Sequence, residues 1–177
     1  MSNGMDEANL RIRTWSSGMR LDLSHLGLTS LPENLPTDLT MLYCEGNCLT
    51  SLPDTLPTSL ALLYCGENRL SSLPSTLPTR LTELDCGGNQ LTSLPNILPT
   101  DLIMLYCDRN YLLSLPETLP SGLRILCCDS NRISSLPHIL PTGLTTLYCY
   151  RNYLPRRLYD EHIHDYHKRV LSQKTVL

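Results

Sequence analysis

The feature that most constrains this chain is a repeat of 21 residues. Cysteine recurs at that interval, and an asparagine follows each cysteine three places later. The two sets are Cys44, Cys65, Cys86, Cys107, Cys128 and Cys149, and Asn47, Asn68, Asn89, Asn110, Asn131 and Asn152. A fixed period of this length is typical of a solenoid, in which each repeat buries its apolar side only against its neighbours. We therefore expect one elongated stack of repeats.

Each repeat divides into a strand and a proline-rich return. Alternating inward and outward positions, as in Leu105-Tyr106-Cys107, predict a strand with one buried face. The returns read Leu-Pro-x-x-Leu-Pro, and their prolines fix φ and remove backbone donors, which favours an extended, polyproline II conformation with the leucines inward. The predicted fold is a solenoid of about seven rungs with a parallel β-sheet on the concave face. Strand centres are expected near Tyr43, Tyr64, Asp85, Tyr106, Cys127 and Tyr148.

Short helical caps are predicted at both ends, because terminal rungs otherwise expose apolar edges to water. Near the N-terminus, Ala8, Ile12 and Trp15 form one helical stripe, with Asp6 as the expected N-cap. A secretion or targeting address is the alternative reading of this segment. Leu158–Leu171 is predicted to be the second helix, with a stripe of Tyr159, Ile163, Tyr166 and Val170. The expected domains are residues 1–18 (N-terminal cap helix), 19–154 (solenoid) and 155–177 (C-terminal cap helix and tail).

The residues from Leu21 to Pro36, followed by repeated Leu-Pro-x-x-Leu-Pro units, closely resemble the bacterial-type leucine-rich-repeat domains of type III secreted effectors. In that family the solenoid recognises host proteins and precedes a novel E3 ubiquitin ligase domain. The Tyr-Cys-x-x-Asn variant also looks like repeat proteins of large DNA viruses. The resemblance covers roughly residues 19–154 and implies a leucine-rich-repeat fold and a protein partner.

Ligase activity is not implied by this resemblance. Only 23 residues follow Leu154, too few for a catalytic domain. The family's ligase motif, Cys-x-Asp, does match Cys127-Cys128-Asp129 as a string. That match falls inside a repeat, so we interpret it as a coincidence of the repeat register. No catalytic residue, metal site or cofactor is predicted, and the chain is expected not to be an enzyme.

Charge and hydropathy exclude several classes of partner. The formal charge of -3 and pI near 5.9 provide no basic patch, which argues against nucleic acid. No apolar run reaches the ~18 residues of a membrane span, and the first 20 residues lack a signal-peptide core. We expect an intracellular, reducing location, which would be the host-cell cytosol for an exported effector. A viral source would allow a place in the virion.

The repeated cysteines are predicted to pack as small apolar side chains rather than as a disulfide framework. Stacked cysteines on neighbouring strands come close enough for disulfides, so disulfides or a metal ladder are the alternatives. Cys127 is the one strand cysteine expected to face outward, and is therefore the expected reactive thiol. His162, His164 and His167 are predicted to give two ligands at most, because a helix places His162 and His164 on opposite sides.

The candidate binding surface is formed by strand residues that alternate with the buried leucines and cysteines, together with the residues that follow them. Exposed apolar residues beside tyrosines and acids mark protein interfaces, and favour a partner with basic character. The predicted partner-binding residues are Met41, Tyr43, Leu62, Tyr64, Asp85, Met104, Tyr106, Asp108, Ile125, Cys127, Tyr148 and Tyr150. Repeat drift is the alternative explanation of the tyrosines. A structural, self-associating component of a larger particle is the alternative function.

Overall fold

The sheet follows the 21-residue repeat directly. In the computed structural model, which describes residues 3–18, 20–158 and 161–173, seven parallel strands pair in chain order. They are β1 (Leu21–Asp22), β2 (Met41–Tyr43), β3 (Leu62–Tyr64), β4 (Glu83–Asp85), β5 (Met104–Tyr106), β6 (Ile125–Cys127) and β7 (Thr146–Tyr148). The predicted solenoid and its parallel sheet are confirmed. The strand centres are leucines, one residue before the predicted positions.

The core is a continuous column of leucine and cysteine. Leu42 and Cys44 have no exposed surface, and the same holds for their counterparts in the central rungs. From the return segments, Leu52 and Leu56 point inward and are 6% and 5% exposed. Within the described residues these returns contain neither helix nor strand. Each rung therefore closes around its own leucines and stacks on the next rung, as the repeat predicts.

The N-terminal cap helix α1 spans Gly4–Thr14. Its N-cap is Asn3, whose side chain accepts a hydrogen bond from the Met5 backbone N–H at 3.3 Å. The predicted N-cap, Asp6, is wrong, since Asp6 lies in the first turn, where a carboxylate favours the helix dipole. The predicted stripe is confirmed, because Ala8 is fully buried and Ile12 and Trp15 pack against the core.

The C-terminal helix α2 spans Ile163–Gln173 and begins later than the predicted Leu158. Ahead of the helix, the Arg157 side chain donates to the Glu161 carbonyl, and the Leu158 N–H donates to the Glu161 carboxylate at 2.9 Å. Ile163, Tyr166 and Val170 are buried as predicted. Tyr159 and the tail from residue 174 lie outside the described residues. The division of the chain at residues 18 and 154 stays a prediction.

At each edge of the sheet, an arginine side chain donates a hydrogen bond to one carbonyl of the edge strand. At β1, the Arg11 guanidinium of α1 donates to the Asp22 carbonyl at 2.8 Å. At β7, the Arg157 guanidinium donates to the Leu147 carbonyl at 3.3 Å. Edge strands otherwise present unpaired carbonyls. The polar side chains beside the caps thus take part in closing the stack, together with the apolar stripes.

The repeated asparagines tie neighbouring rungs together. Asn89 is 6% exposed, and its amide nitrogen donates to the carbonyls of Cys65, Cys86 and Gly87 at 3.1, 3.1 and 3.3 Å. Its amide oxygen accepts from the Leu70 N–H at 2.9 Å. One side chain therefore serves two rungs. Because buried backbone groups must be paired, this position has the structural role that its periodicity predicts.

Candidate functional site

The predicted binding residues lie on the outward side of the sheet, which we call the concave face. Strand pairing aligns them in columns, with Met41 beside Leu62 and Tyr43 beside Tyr64. The first column contains Met41, Leu62, Met104 and Ile125, all half-buried. The second contains Tyr43, Tyr64, Asp85, Tyr106, Cys127 and Tyr148, and the residues after the strands add Asp108 and Tyr150. The structure thus places all twelve on one face, as the alternation predicts.

At the N-terminal end of this face the side chains form a stack. The Tyr43 and Tyr64 rings are parallel within 5°, with centroids 4.6 Å apart. The Arg20 guanidinium lies 4.9 Å from the Tyr43 centroid on the concave face and forms an ion pair with Asp22 at 3.3 Å. Such contacts hold the rings in one orientation before any partner arrives. This part of the face is preorganised.

The centre of the face contains a hollow of about 200 Å³. Gly66 and Gly87 form its floor, since a Cβ on Gly66 would lie 3.1 Å from the Asp85 carboxylate and one on Gly87 would lie 3.0 Å from the Asp108 carboxylate. Glycine at these two positions therefore leaves room for the close approach of these acids. We call this site the central hollow; its lining residues are Glu45, Gly66, Glu67, Asp85, Gly87, Tyr106, Asp108 and Arg109.

Charge in the central hollow is unbalanced. Arg109 pairs with Glu67 at 2.6 Å and with Asp108 at 3.1 Å. Asp85 accepts the Gly87 N–H at 2.9 Å, but among the described residues no cationic side chain forms an ion pair with it. Glu45 Oε2 is buried without a hydrogen-bond partner in that part of the chain. Burial raises the pKa of both Glu45 and Asp85, and neighbouring carboxylates raise the pKa values further.

The tyrosines beside the hollow are held in the protonated form. Burial raises the pKa of the Tyr64 phenol, and its hydrogen bond with the Glu83 carboxylate adds to the shift. Burial raises the pKa of Tyr106 as well, followed by the charge of Glu83. Both hydroxyl groups are therefore hydrogen-bond donors at neutral pH. Together with the acids they form a surface that is apolar at the rings and negative between them.

Cys127 differs from its prediction. It lies in an outward column, between Tyr106 and Tyr148 in the register, yet it is only 9% exposed. Burial and then the nearby Asp108 and Asp129 raise the pKa of its thiol to about 11. The expectation of a reactive thiol at this position is therefore wrong, because thiolate is the reactive form. Tyr148 and Tyr150 are the exposed residues of this end, at 48% and 53%.

The histidines near α2 also differ from expectation. His162 precedes the helix and its Nδ1 accepts from the His164 N–H at 3.3 Å, so the two are not on opposite helix sides. Their rings lie 5.5 Å apart. His167 is buried and its Nε2 contacts the Pro137 carbonyl at 2.7 Å. Across the described ranges no group of three or more His, Cys, Asp or Glu side chains is arranged to hold a metal ion.

Sequence reasoning missed the residues that shape the hollow. Glu67 and Arg109 follow their strands at positions with φ near +51°, and they meet across the intervening rung at Gly88. A Cβ on Gly88 would lie 2.8 Å from the Glu67 carboxylate. The consecutive glycines at 66 and 87 in one column were the available signal. In the sequence they read as ordinary loop residues.

Replacing Asp85 with asparagine is expected to raise the stability of the fold at pH 7. The folded pKa of Asp85 lies above its unfolded value, so the charged form is disfavoured in the folded state. This penalty is present above the folded pKa and is relieved as pH falls through it. The gain should therefore be seen in urea unfolding at pH 7 and disappear at about pH 3. Asp101→Asn, at an exposed convex position, should change stability by less than about 0.5 kcal/mol; a loss of stability in the Asp85 variant would contradict this account.

Comparison with known proteins is informative for both the fold and the face. A profile of the Leucine Rich Repeat family matches residues 80–100. The chain is similar in structure to the leucine-rich-repeat domain of a Shigella effector, with 36% sequence identity and a TM-score of 0.76, over 88% of this chain and 69% of that one. No curated protein sequence matches the chain.

Two Yersinia structures are also similar. YopM from Yersinia enterocolitica shares 32% identity with a TM-score of 0.61, over 77% of this chain and 34% of that one. The leucine-rich effector protein YopM from Yersinia pestis shares 30% identity with a TM-score of 0.54, over 85% of this chain and 55% of that one. The chain thus spans between a third and just over half of these two proteins.

Neither 11-residue helix of the described ranges is long and apolar enough to cross a membrane.

Proposed function

Because the chain belongs to the leucine-rich-repeat family and is similar to the repeat domain of a Shigella effector, we propose that it is a non-catalytic module that binds another protein through its concave face. The observation that carries this proposal is the ordered outward surface of the sheet, with the Tyr43 and Tyr64 rings stacked 4.6 Å apart. Side chains held in their bound geometry lose little conformational entropy on binding. A surface with this preorganisation suits a specific partner.

The composition of the face supports a protein partner. Tyrosine combines a large contact area with a polar tip and is enriched in binding hot spots. Half-buried Met41, Leu62 and Met104 lie alongside the tyrosine column. Six strand spacings of ~4.8 Å give the face a length of roughly 29 Å, the scale of a protein–protein contact.

The chemistry of the face favours binding over catalysis. The leucine-rich-repeat fold is generally a non-catalytic interaction scaffold. Cys127 is the cysteine of the strand columns on this face, and the raised pKa of its thiol, about 11, makes it a poor nucleophile. The place of action that we propose is a reducing intracellular compartment, and the host-cell cytosol if the chain is exported as its effector relatives are.

The double substitution Tyr64→Ala with Tyr106→Ala is expected to weaken binding of the partner by about thirtyfold or more, because truncating one hot-spot residue costs about 2 kcal/mol or more. The measurement is quantitative affinity capture from lysates of the natural source, with circular dichroism to verify that the fold is intact. Capture would be compared protein by protein with the unsubstituted chain, which isolates the partners that depend on the concave face.

The matched control is Ile97→Ala with Ile139→Ala. These side chains are 83% and 76% exposed and lie on the proline-rich convex segments. A partner of the concave face should be lost from the tyrosine variant and retained by the isoleucine variant. Unaltered capture by the tyrosine variant would show that the concave face is not the binding site. A self-associating component would instead capture copies of its own chain.

A further inference from the structure

One end of the concave face shows how the molecule itself binds a guanidinium. Arg20 lies 4.9 Å from the Tyr43 ring centroid and 3.3 Å from the Asp22 carboxylate. Asp22 is held in place by the Ser24 N–H, which donates to its Oδ1 at 3.0 Å. A cation over an aromatic face beside a carboxylate combines two favourable interactions. This arginine, acid and ring form an internal example of a cation site.

The fourth rung repeats the aspartate and the neighbouring tyrosine ring of this arrangement, but it has no arginine at the position that corresponds to Arg20. Asp85 occupies the same column as Asp22, with Tyr64 and Tyr106 on either side in the register. The Gly87 N–H donates to Asp85 Oδ1 at 2.9 Å, as Ser24 does to Asp22. In the column of Arg20, however, this rung has Glu83.

The remaining groups around Asp85 do not supply the cation. Glu83, Glu45 and Asp108 are carboxylates, and Glu45 Oε2 is buried without a hydrogen-bond partner within the described residues. Arg109 is the cation that faces them, and it already pairs with Glu67 and Asp108 at 2.6 and 3.1 Å. The region therefore carries five carboxylates and one guanidinium. Its charge complements a positively charged side chain from outside.

We propose that the central hollow receives an arginine side chain of the partner protein, with its guanidinium beside the Asp85 carboxylate and against the ring of Tyr106. This inference rests on the proposed function and names the partner chemistry of the same face. The two aspartates support it by contrast. Asp22 has a lowered pKa, since hydrogen bonds from Ser24 and the charge of Arg20 outweigh its burial. Asp85 is half-buried and forms no ion pair in the described residues; burial and the charge of Asp108 raise its pKa in spite of the Gly87 N–H and the charge of Arg109.

Arginine, rather than a metal ion, is the occupant that the geometry favours. A planar guanidinium can bind a carboxylate and stack on an aromatic ring at once, and Arg20 contacts both Asp22 and the Tyr43 ring. The described residues contain no cluster of three or more acids, histidines or cysteines arranged around a metal. The Tyr106 ring that lines the hollow favours a cation that has apolar faces.

The test uses a short peptide with the full-length chain. Acetyl-Gly-Gly-Arg-Gly-Gly-amide would be titrated into ¹⁵N-labelled protein at low ionic strength, with the citrulline peptide as its neutral isostere. We expect saturable shifts of the Gly66 and Gly87 amide resonances with the arginine peptide and at least tenfold weaker binding of the citrulline peptide, because charge-assisted hydrogen bonds are lost. Equal responses to the two peptides would overturn the proposal.

Two variants separate the hollow from general charge attraction. Asp85→Asn should weaken the arginine peptide about tenfold, whereas Asp101→Asn, with the same change of charge on the convex side, should leave it unchanged. Glu83→Arg places an arginine at the position equivalent to Arg20 and should abolish the shifts. Equal losses from Asp85→Asn and Asp101→Asn would also overturn the proposal. If the peptide fails while capture still depends on Tyr64 and Tyr106, the concave face remains the binding face and only the arginine site is rejected.

Discussion

Replacing Asn89 with alanine is expected to lower the free energy of unfolding by about 1–3 kcal/mol, because the buried Leu70 N–H is left without an acceptor. The Leu70 N–H loses its acceptor at 2.9 Å, whereas the Cys65 and Cys86 carbonyls each lose one donor at 3.1 Å and keep the amides of Asn68 and Asn110. These groups belong to adjacent rungs. The substitution therefore weakens both the rung and its stacking on the one before it.

Urea unfolding followed by circular dichroism measures this effect. The neighbouring Gln90→Ala is the matched control, since Gln90 is exposed and should change stability by less than about 0.5 kcal/mol. Hydrogen exchange adds a local readout, because the Leu70 amide should lose protection first. If Asn89→Ala unfolds at the same urea concentration as Gln90→Ala, the repeated asparagine has no structural role.

The second large effect is a difference in thiol reactivity of roughly two orders of magnitude. All eight cysteines are free, and Cys48 is the one with a partly exposed side chain. Burial raises the pKa of Cys65, Cys107 and Cys128 far above the usual range, and that of Cys127 to about 11. At pH 8 a thiol with a pKa of about 11 is ionised in about one molecule per thousand, against roughly a quarter for an unperturbed thiol.

Native labelling with iodoacetamide at pH 8 should therefore modify Cys48 and leave the other seven intact, with peptide mass spectrometry as the readout. In guanidinium chloride all eight should react, which counts the free thiols. Fewer than eight in the denatured protein would demonstrate disulfides and contradict the packing of the cysteine column. Rapid native labelling of Cys127 would contradict the burial of that side chain.

The repeat made most of the fold predictable. Each column position recurs from rung to rung, so a prediction that Cys86 or Asn89 is interior extends to its counterparts along the stack. The structure confirms both residues as interior. The ends lack this redundancy. Ahead of α2, the Arg157 side chain donates two hydrogen bonds to the Glu161 carbonyl, and no periodic pattern in the sequence predicts these contacts.

The candidate site was predictable in outline and not in its interior detail. Alternation along each strand places Tyr64 and Asp85 on the outward side, because successive side chains point to opposite faces. The hollow itself arises from side chains that are missing at Gly66 and Gly87, and from an ion pair that crosses a rung between Glu67 and Arg109. Such contacts join residues that are neighbours in the stack of rungs but lie 21 or 42 residues apart in the chain.

The arginines at the two sheet edges bear on whether copies of this chain grow into fibres. Identical rungs are in principle compatible with endless end-to-end addition, since each strand offers the same pairing pattern to the next. Arg11 and Arg157 occupy the Asp22 and Leu147 carbonyls, at which an added strand would pair. Charged side chains at a sheet edge are a known protection against aggregation. The two guanidinium groups thus withhold an edge carbonyl at each end from an added strand, and Arg11→Ala or Arg157→Ala is expected to expose it.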